Sequence, residues 1–405
     1  MADVVVPLRR NLRFQTFWTG SASATLGQAV GDVAYPLAIV TMTGSPGKAA
    51  LFSGVQITGM LAAGLPVGSL ADRYDSQRLA LVAHAIRTMV ACVVAISLAG
   101  GWLTLPLLVA AAVVLGAGQA LGGATNILLL RSIVPGEQLT LALTQDEVRI
   151  NGASLAGPAL AGALYGLHHV APFTFTAAAF FVALTATVFL PAGLARPTPA
   201  KEAAEGGILA GIRELWGQPV LRAAVMLVMG VNTVGAGLEL VVIVILRHQA
   251  VPPYSIGLAL GIGAAGGLAG APLVKFLHRL PPGVLLLTVC GMEVPILLLL
   301  AVPFGPWWAA GVLFTGLLGV PALRVLADIL IIRQATPERR GRVVAAVMTL
   351  IALGMPVGIA GCGLLLQYLP AQIAMLTLAA AMAVVTAFGL SCRELRHARW
   401  PEAHR

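Results

Sequence analysis

Apolar stretches of about 20 residues or more follow one another along almost the whole chain, and a helix of that length crosses the ~30 Å hydrocarbon core of a bilayer. Charged residues make up only 10% of the 405 residues, whereas they make up about a quarter of a typical soluble domain. So few charges cannot cover the surface of a water-soluble fold of this size. Because the apolar residues do not alternate with period two, a membrane β-barrel is also disfavoured. We therefore predict an all-α membrane protein.

These apolar stretches predict twelve transmembrane helices. The ninth and tenth are separated only by the short segment VPFGP. The predicted helices span residues 14–40, 49–71, 79–100, 104–131, 143–166, 171–191, 221–246, 254–277, 283–302, 307–332, 343–367 and 371–391.

The basic residues predict how these helices are oriented. With the N-terminus in the cytoplasm, 20 of the 25 Lys and Arg residues fall on the inner side, and only Lys48 and Arg247 fall outside. Arg87, Arg149 and Arg324 fall within predicted spans. Cytoplasmic enrichment of basic residues is the usual topological rule, so both termini are predicted to be cytoplasmic. The formal charge of +9 then faces anionic inner-leaflet lipid, and it requires no nucleic-acid partner.

Three residues of the first half of the chain are repeated by the same residue type 202 positions later in the second half. The recurring pairs are Gly68 with Gly270, Arg131 with Arg333, and Pro135 with Pro337. Each pair lies at a predicted cytoplasmic helix end. The register predicts two pseudo-symmetric six-helix halves, which is the architecture of many secondary transporters.

The longest polar stretch between spans lies near the middle of the chain and divides the helices six and six. The predicted divisions are an N-terminal six-helix bundle at 1–192, a cytoplasmic linker with an amphipathic segment at 193–220, a C-terminal six-helix bundle at 221–392 and a basic cytoplasmic tail at 393–405.

The segment GSLADRYDSQR at 68–78 forms the predicted cytoplasmic loop between the second and third helices. It resembles the signature loop of the major facilitator superfamily, Gly-x-Leu-Ala-Asp-Arg-x-Gly-Arg-Arg. The residues that match in place are Gly68, Leu70, Ala71, Asp72 and Arg73. Together with VPGEQLTLA and PERRGRV, the loop is most similar to the branch of macrolide-efflux and enterobactin-exporter proteins. The resemblance implies the major facilitator fold and a bacterial cytoplasmic (inner) membrane location.

In that family the loop aspartate pairs with basic residues at neighbouring helix ends and stabilises one access state. Arg131 is the expected partner of Asp72. The resemblance thus implies a conformational switch made of Gly68, Asp72, Arg73, Arg78 and Arg131. The alternative is a solvated loop that only follows the positive-inside rule.

The segment SLAGPALAG at 154–162 resembles the fifth-helix motif of proton-coupled drug exporters at Gly157, Pro158 and Gly162. Proline kinks a helix because it removes a backbone hydrogen bond, and glycine allows close packing. The resemblance favours export over import.

Polar residues form a stripe on the first predicted helix. Ser21, Thr25, Gln28, Asp32 and Tyr35 are spaced 4, 3, 4 and 3 residues apart, so they share one helical face. A charge facing lipid costs at least about 2.5–3.5 kcal/mol, so this stripe is expected to face a wet cavity.

Further polar faces occur on other helices, including Asn232 and Glu239 on the seventh. Asp32 and Glu239 are the candidate proton carriers, and the alternative is a structural carboxylate paired to a neighbour. The predicted cavity residues are Gln28, Asp32, Tyr35, Gln56, Gln119, Asn126, Asn151, Asn232 and Glu239. Small polar residues that only join helices are the alternative for each. More carboxylates than basic groups are expected to face the cavity, which favours neutral or cationic substrates.

The leading function is a secondary active transporter, a proton-coupled exporter of an amphipathic small molecule such as a drug, antibiotic or siderophore. The sequence has no Gly-x4-Gly-Lys loop to hold ATP, so an ion gradient must supply the energy. The alternatives are a proton-coupled metabolite importer and, more distantly, a membrane-embedded enzyme. We predict no enzymatic activity, no cofactor and no metal, and a monomer whose partners are its substrate, protons and lipid.

Overall fold

The structure is a computed structural model. It describes residues 7–191, 212–213, 215–217, 219–277, 279–302, 304–323, 325–326 and 340–396, without the side chains at 65, 72, 219 and 340–345.

Within this part of the chain the regular secondary structure is helical, and no strand occurs. The long helices are α1 (Leu12–Thr43), α2 (Pro46–Arg73), α3 (Ser76–Ala99), α4 (Leu105–Ile133), α5 (Leu139–Leu167), α6 (Ala171–Val188), α7 (Pro219–His248), α8 (Pro253–Gly270), α9 (Pro282–Leu300), α10 (Pro306–Leu317), α11 (Arg340–Tyr368) and α12 (Ala371–Ser391). Each coincides with one predicted span, so the all-α fold class is confirmed.

Nine helical segments of the described residues are long and apolar enough to cross a membrane. The helices α1, α2 and α5 are not among them. Two of these carry ionisable side chains along their length, Asp32 on α1 and Asp146 and Arg149 on α5. The full set of twelve membrane spans stays a prediction.

Two helices are shorter than predicted because proline interrupts them. The predicted helix 254–277 ends as α8 at Gly270, and a 3₁₀ turn that contains Pro272 separates it from a short helix, Val274–Leu277. The predicted helix 307–332 ends as α10 at Leu317, and a turn precedes Pro321. Proline has no backbone N–H to donate along the helix. Residues 327–332 lie outside the described part of the chain.

The chain forms two compact units. The first contains α1, α3 to α6, most of α2 and the first residues of α8, Pro253–Leu258. In this unit α1 packs on α5 and α6, and α3 packs on α4 and α6. Helices α2 and α4 cross so closely at Gly116 that an added methyl group would overlap the carbonyl oxygen of Gln56.

The second unit contains α7, the rest of α8, α9 to α12 and the N-terminal end of α2. Here α7 packs on α11 and α12, and α9 packs on α10 and α12. The packing within the second unit therefore repeats that within the first, because α7 and α9 contact the counterparts of the helices that α1 and α3 contact. A duplicated six-helix arrangement predicts this repetition. The sequence-based domain bounds stay a prediction, since most of 193–220 lies outside the described residues.

Two residues that depart from the family loop pattern have structural roles at the start of α3. The Asp75 Oδ1 atom accepts hydrogen bonds from the backbone N–H groups of Gln77 (2.9 Å) and Arg78 (3.1 Å), so Asp75 caps the helix. The buried Gln77 side chain donates from Nε2 to the carbonyl oxygens of Thr187 (3.1 Å) and Leu190 (2.7 Å). These bonds fix the start of α3 to the end of α6.

Candidate transport site

A cavity of about 630 Å³ lies within the first unit, among α1, α3, α4 and α5. Its size is in the range of a small-molecule site. Its wall mixes apolar side chains with ionisable and amide groups. The polar lining residues are Ser21, Thr25, Gln28, His84, Arg87, Gln119, Asn126, Asp146, Glu147 and Arg149.

A chain of hydrogen bonds connects the Asp32 carboxylate to this cavity. The Gln28 Nε2 atom donates to Asp32 Oδ1 at 2.6 Å, and the Gln56 Nε2 atom donates to the same oxygen at 3.3 Å. The other end of the Gln28 amide accepts a hydrogen bond from Arg87 Nη2. One neutral amide thus joins a carboxylate to a guanidinium.

Arg87 is the most deeply buried cation of the cavity wall, with only 5% of its surface exposed. Its guanidinium lies 3.9 Å from the centre of the Phe180 ring, a cation–π contact that stabilises a desolvated charge. Its stem lies against Gly118 of α4, where an added methyl group would be 2.7 Å from Arg87 Cγ. Glycine at that position leaves room for the arginine.

A second ionic cluster forms where α5 faces α1. The Arg149 Nε and Nη2 atoms donate to Asp146 Oδ1 at 2.9 and 2.7 Å. Its Nη1 atom donates to the Ser21 carbonyl oxygen at 2.8 Å and to Thr25 Oγ1. The Ser21 hydroxyl in turn donates to Asn126 Oδ1 at 2.8 Å. Arg149 therefore joins α5 to α1 through four hydrogen bonds, counting those to Asp146 of its own helix, and Ser21 extends the cluster to α4.

Tyr35 lies away from the cavity wall although it belongs to the predicted stripe. Its ring stacks on Phe52 with centroids 4.6 Å apart and meets Phe173 edge-on at 5.0 Å. Only 3% of the residue is exposed. Aromatic pairs of this geometry are favourable, and they hold the ring between α2 and α6.

The other predicted cavity residues are distributed between the two units. Gln28, Gln119 and Asn126 line the cavity, while Asp32 is an exposed residue outside the cavity wall. The Asn151 side chain donates to the Glu147 carbonyl oxygen of its own helix at 2.8 Å. Asn232 and Glu239 lie on α7 in the second unit, so the structure does not bring them together with Asp32 inside one unit. The roles of all nine stay predictions.

The predicted switch residues that the structure describes are exposed at helix ends. Gly68 and Arg73 lie near the end of α2, Arg78 lies in the first turn of α3 and Arg131 in the last turn of α4. The Asp72 side chain lies outside the described part, so its pairing with Arg131 stays a prediction.

The Gly-Pro motif lies inside α5, with Pro158 within the helix. A methyl group added at Gly157 would lie 2.9 Å from the Ala29 backbone carbon of α1. One added at Gly162 would lie 2.9 Å from the Cα atom of Gly257, which belongs to the same unit. Both glycines therefore allow close helix contacts.

Sequence reasoning missed the arginines as members of the site. Arg87 and Arg149 were recognised only as basic residues within spans, without named partners. The available signal was their position, because a charge in the bilayer interior is costly and is usually paired or functional. The cavity lining also departs from the expected excess of carboxylates, since Arg87 and Arg149 match Asp146 and Glu147 in number.

Comparison with known proteins agrees with this fold. The chain is 27% identical over 355 residues to the multidrug efflux pump Tap of Mycobacterium bovis and of Mycobacterium tuberculosis, covering 83% of this chain and 84% of each pump. Among solved structures, the nucleoside transporter NupG has a TM-score of 0.74 at 13% identity, over 95% of this chain and 100% of that one.

A bacterial homologue of the human lysosomal transporter Spinster has a TM-score of 0.71 at 15% identity, over 96% of this chain and 98% of that one. These structural likenesses establish the fold. The family model of the Major Facilitator Superfamily matches residues 17–359. The resemblance of the 68–78 loop is thereby confirmed, and the chain belongs to the Major Facilitator Superfamily, a family of membrane transporters rather than enzymes.

Proposed function

We propose that this transporter is a proton-coupled exporter, an antiporter that removes amphipathic small molecules from a bacterial cytoplasm across the inner membrane. It acts as a monomer, with both termini in the cytoplasm and a basic inner face against anionic lipid. Similarity to a multidrug efflux pump supports export. Family membership supports transport of small molecules driven by an ion gradient.

The observation that carries this proposal is the hydrogen-bonded chain from Asp32 to the cavity. Both amide donors use the same carboxylate oxygen, and the chain ends on a cavity arginine. A carboxylate so connected can exchange a proton with water on its exposed side while its charge acts on the cavity. Proton uptake and substrate release are then linked, as antiport requires. Glu239 on α7 is the second proposed proton carrier.

Everted inner-membrane vesicles test the direction and the coupling together. Respiration acidifies their interior, so an antiporter should accumulate a fluorescent amphipathic cation such as ethidium inside them. A protonophore should release the accumulated dye, and vesicles from the deletion strain should accumulate less. Proton-dependent uptake of a solute by right-side-out vesicles, without accumulation in everted ones, would favour the importer instead.

Asp72→Asn is expected to lower turnover in proteoliposomes several-fold without lowering thermal stability. The substitution preserves the shape of the side chain but removes the charge that would pair with Arg131 in one access state. Asp75→Asn, in the same loop, is the matched control, because asparagine is also a good helix cap. Equal turnover of the two variants would contradict a switch role and indicate that Asp72 is a solvated loop residue.

A further inference from the structure

We propose that Arg87 and His84 form a subsite for an acidic group of the substrate, so that the transported compounds include amphipaths that carry a carboxylate. This inference rests on the proposed function and names its substrate class. It concerns the face of the cavity to which α3 contributes Arg87 and His84.

The first step is that Arg87 has unused hydrogen-bonding capacity. A guanidinium offers five N–H donors, yet the hydrogen bond found for this one is the bond from Nη2 to Gln28. The Nε atom is buried and has no partner within the described residues. Because a buried donor without an acceptor is destabilising, this arrangement favours a ligand that supplies one.

The second step is that His84 adds another unpartnered nitrogen one helical turn away. Residues three apart lie on the same face of a helix, and both side chains line the cavity. The Nδ1 atom of His84 is buried and has no hydrogen-bond partner among the described residues. In the tautomer that carries a proton on Nδ1, it is a further donor for an oxygen ligand.

The third step is that the cavity has room beside these groups. The Nη1 atom of Arg87 faces Gly122 of the cavity wall, where even an added methyl group would remain 3.8 Å away. A ligand oxygen can therefore approach the guanidinium from the cavity side.

The fourth step is the balance of charge around the cavity. Arg149 is neutralised by Asp146 at 2.7 Å, whereas no carboxylate of the described residues lies within ion-pair distance of Arg87. The hydrogen-bonded path from Asp32 to Arg87 passes through the Gln28 amide, beside a longer-range attraction between the two charges, and Glu147 is exposed. A substrate carboxylate would complete the pairing of Arg87, since guanidinium and carboxylate form strong charge-assisted hydrogen bonds.

A matched pair of dyes tests this subsite without any ion gradient. Rhodamine B carries a free carboxylate, and its ethyl ester has the same ring system with the carboxylate blocked. Fluorescence anisotropy with the purified protein in nanodiscs at neutral pH gives the affinity for each dye. The wild type is expected to bind rhodamine B about tenfold more tightly than the ester, which is the value of a hydrogen bond to a charged group.

Arg87→Gln should lose this preference by weakening rhodamine B about tenfold while the ester changes little. Arg87→Lys, which retains the charge but not the planar fork, should recover part of the preference. His84→Phe should reduce it, and Arg10→Gln, an exposed arginine before α1, should leave it unchanged.

The ratio of the two affinities distinguishes loss of the subsite from misfolding, because a misfolded variant loses affinity for both dyes together. Equal wild-type affinities, equal weakening of both dyes in Arg87→Gln, or no wild-type binding of either dye would each overturn the proposal. Failure here with normal proton-driven efflux in everted vesicles would reject the subsite and leave the exporter function standing.

Discussion

Asp32→Asn is expected to abolish uphill, proton-driven transport in proteoliposomes while downhill exchange and substrate binding persist. An amide retains much of the hydrogen bonding of the carboxylate towards Gln28 and Gln56 but cannot take up and release a proton. In the wild type a cationic substrate competes with protons for Asp32, so the affinity for that substrate should fall as the pH is lowered from about 8 to 5. In the variant the affinity should depend much less on pH.

Binding measured over this pH range in both proteins, beside transport with and without an imposed gradient, checks the expectation. Asp75→Asn, which removes a carboxylate outside the membrane, is the control. The same pH dependence in wild type and Asp32→Asn would show that Asp32 is not the proton carrier, and Glu239 would become the leading candidate. Full uphill transport by the double variant Asp32→Asn with Glu239→Gln would reject both carriers.

Gly116→Val is expected to lower the stability of the first unit strongly. At this position α4 crosses α2 with no space for a side chain, since even a methyl group would overlap the Gln56 carbonyl oxygen and lie 2.9 Å from the Met60 nitrogen. Backbone atoms cannot rotate away, so the helices must separate. Overpacking of this kind costs about 1–3 kcal/mol and occasionally more. Separation would also displace the Gln56 amide from Asp32.

Heating the detergent-solubilised protein and measuring the monodisperse fraction by size-exclusion chromatography gives the apparent midpoint. Gly152→Val is the matched control, because nothing lies within 4 Å of a methyl group added there on α5 and the intrinsic helix preference changes in the same way. Equal midpoints for the two variants would contradict the crossing as the cause.

The helical architecture was predictable because lipid imposes one rule on the whole chain. Every backbone polar group in the bilayer must be satisfied within its own segment, so length and hydrophobicity locate helices without knowledge of tertiary contacts. The prediction was less accurate where local backbone chemistry intervenes, as at Pro272 and Pro321, which interrupt helices that composition alone made continuous.

The candidate site was only partly predictable, for a geometric reason. Spacing along one helix correctly grouped Ser21, Thr25 and Gln28 on a common face that lines the cavity. It could not show that Arg87, 59 residues further along, donates to Gln28, since contacts between helices depend on their packing. Nor could it show that Tyr35 lies between Phe52 and Phe173. Charges and amides identify candidate residues, but their partners come from the fold.

The Gln28 amide connects Asp32 to Arg87 in one preferred orientation. Its nitrogen end faces a carboxylate and its oxygen end faces a guanidinium, and the reverse orientation would place like groups against each other at both ends. Ionised Asp32 therefore fixes the amide in one orientation. A protonated Asp32 can donate instead of accept, which removes this constraint at the nitrogen end of the amide, while Arg87 still holds the oxygen end. The charge of Asp32 would then change how firmly the Gln28 amide is held beside Arg87 before any helix moves.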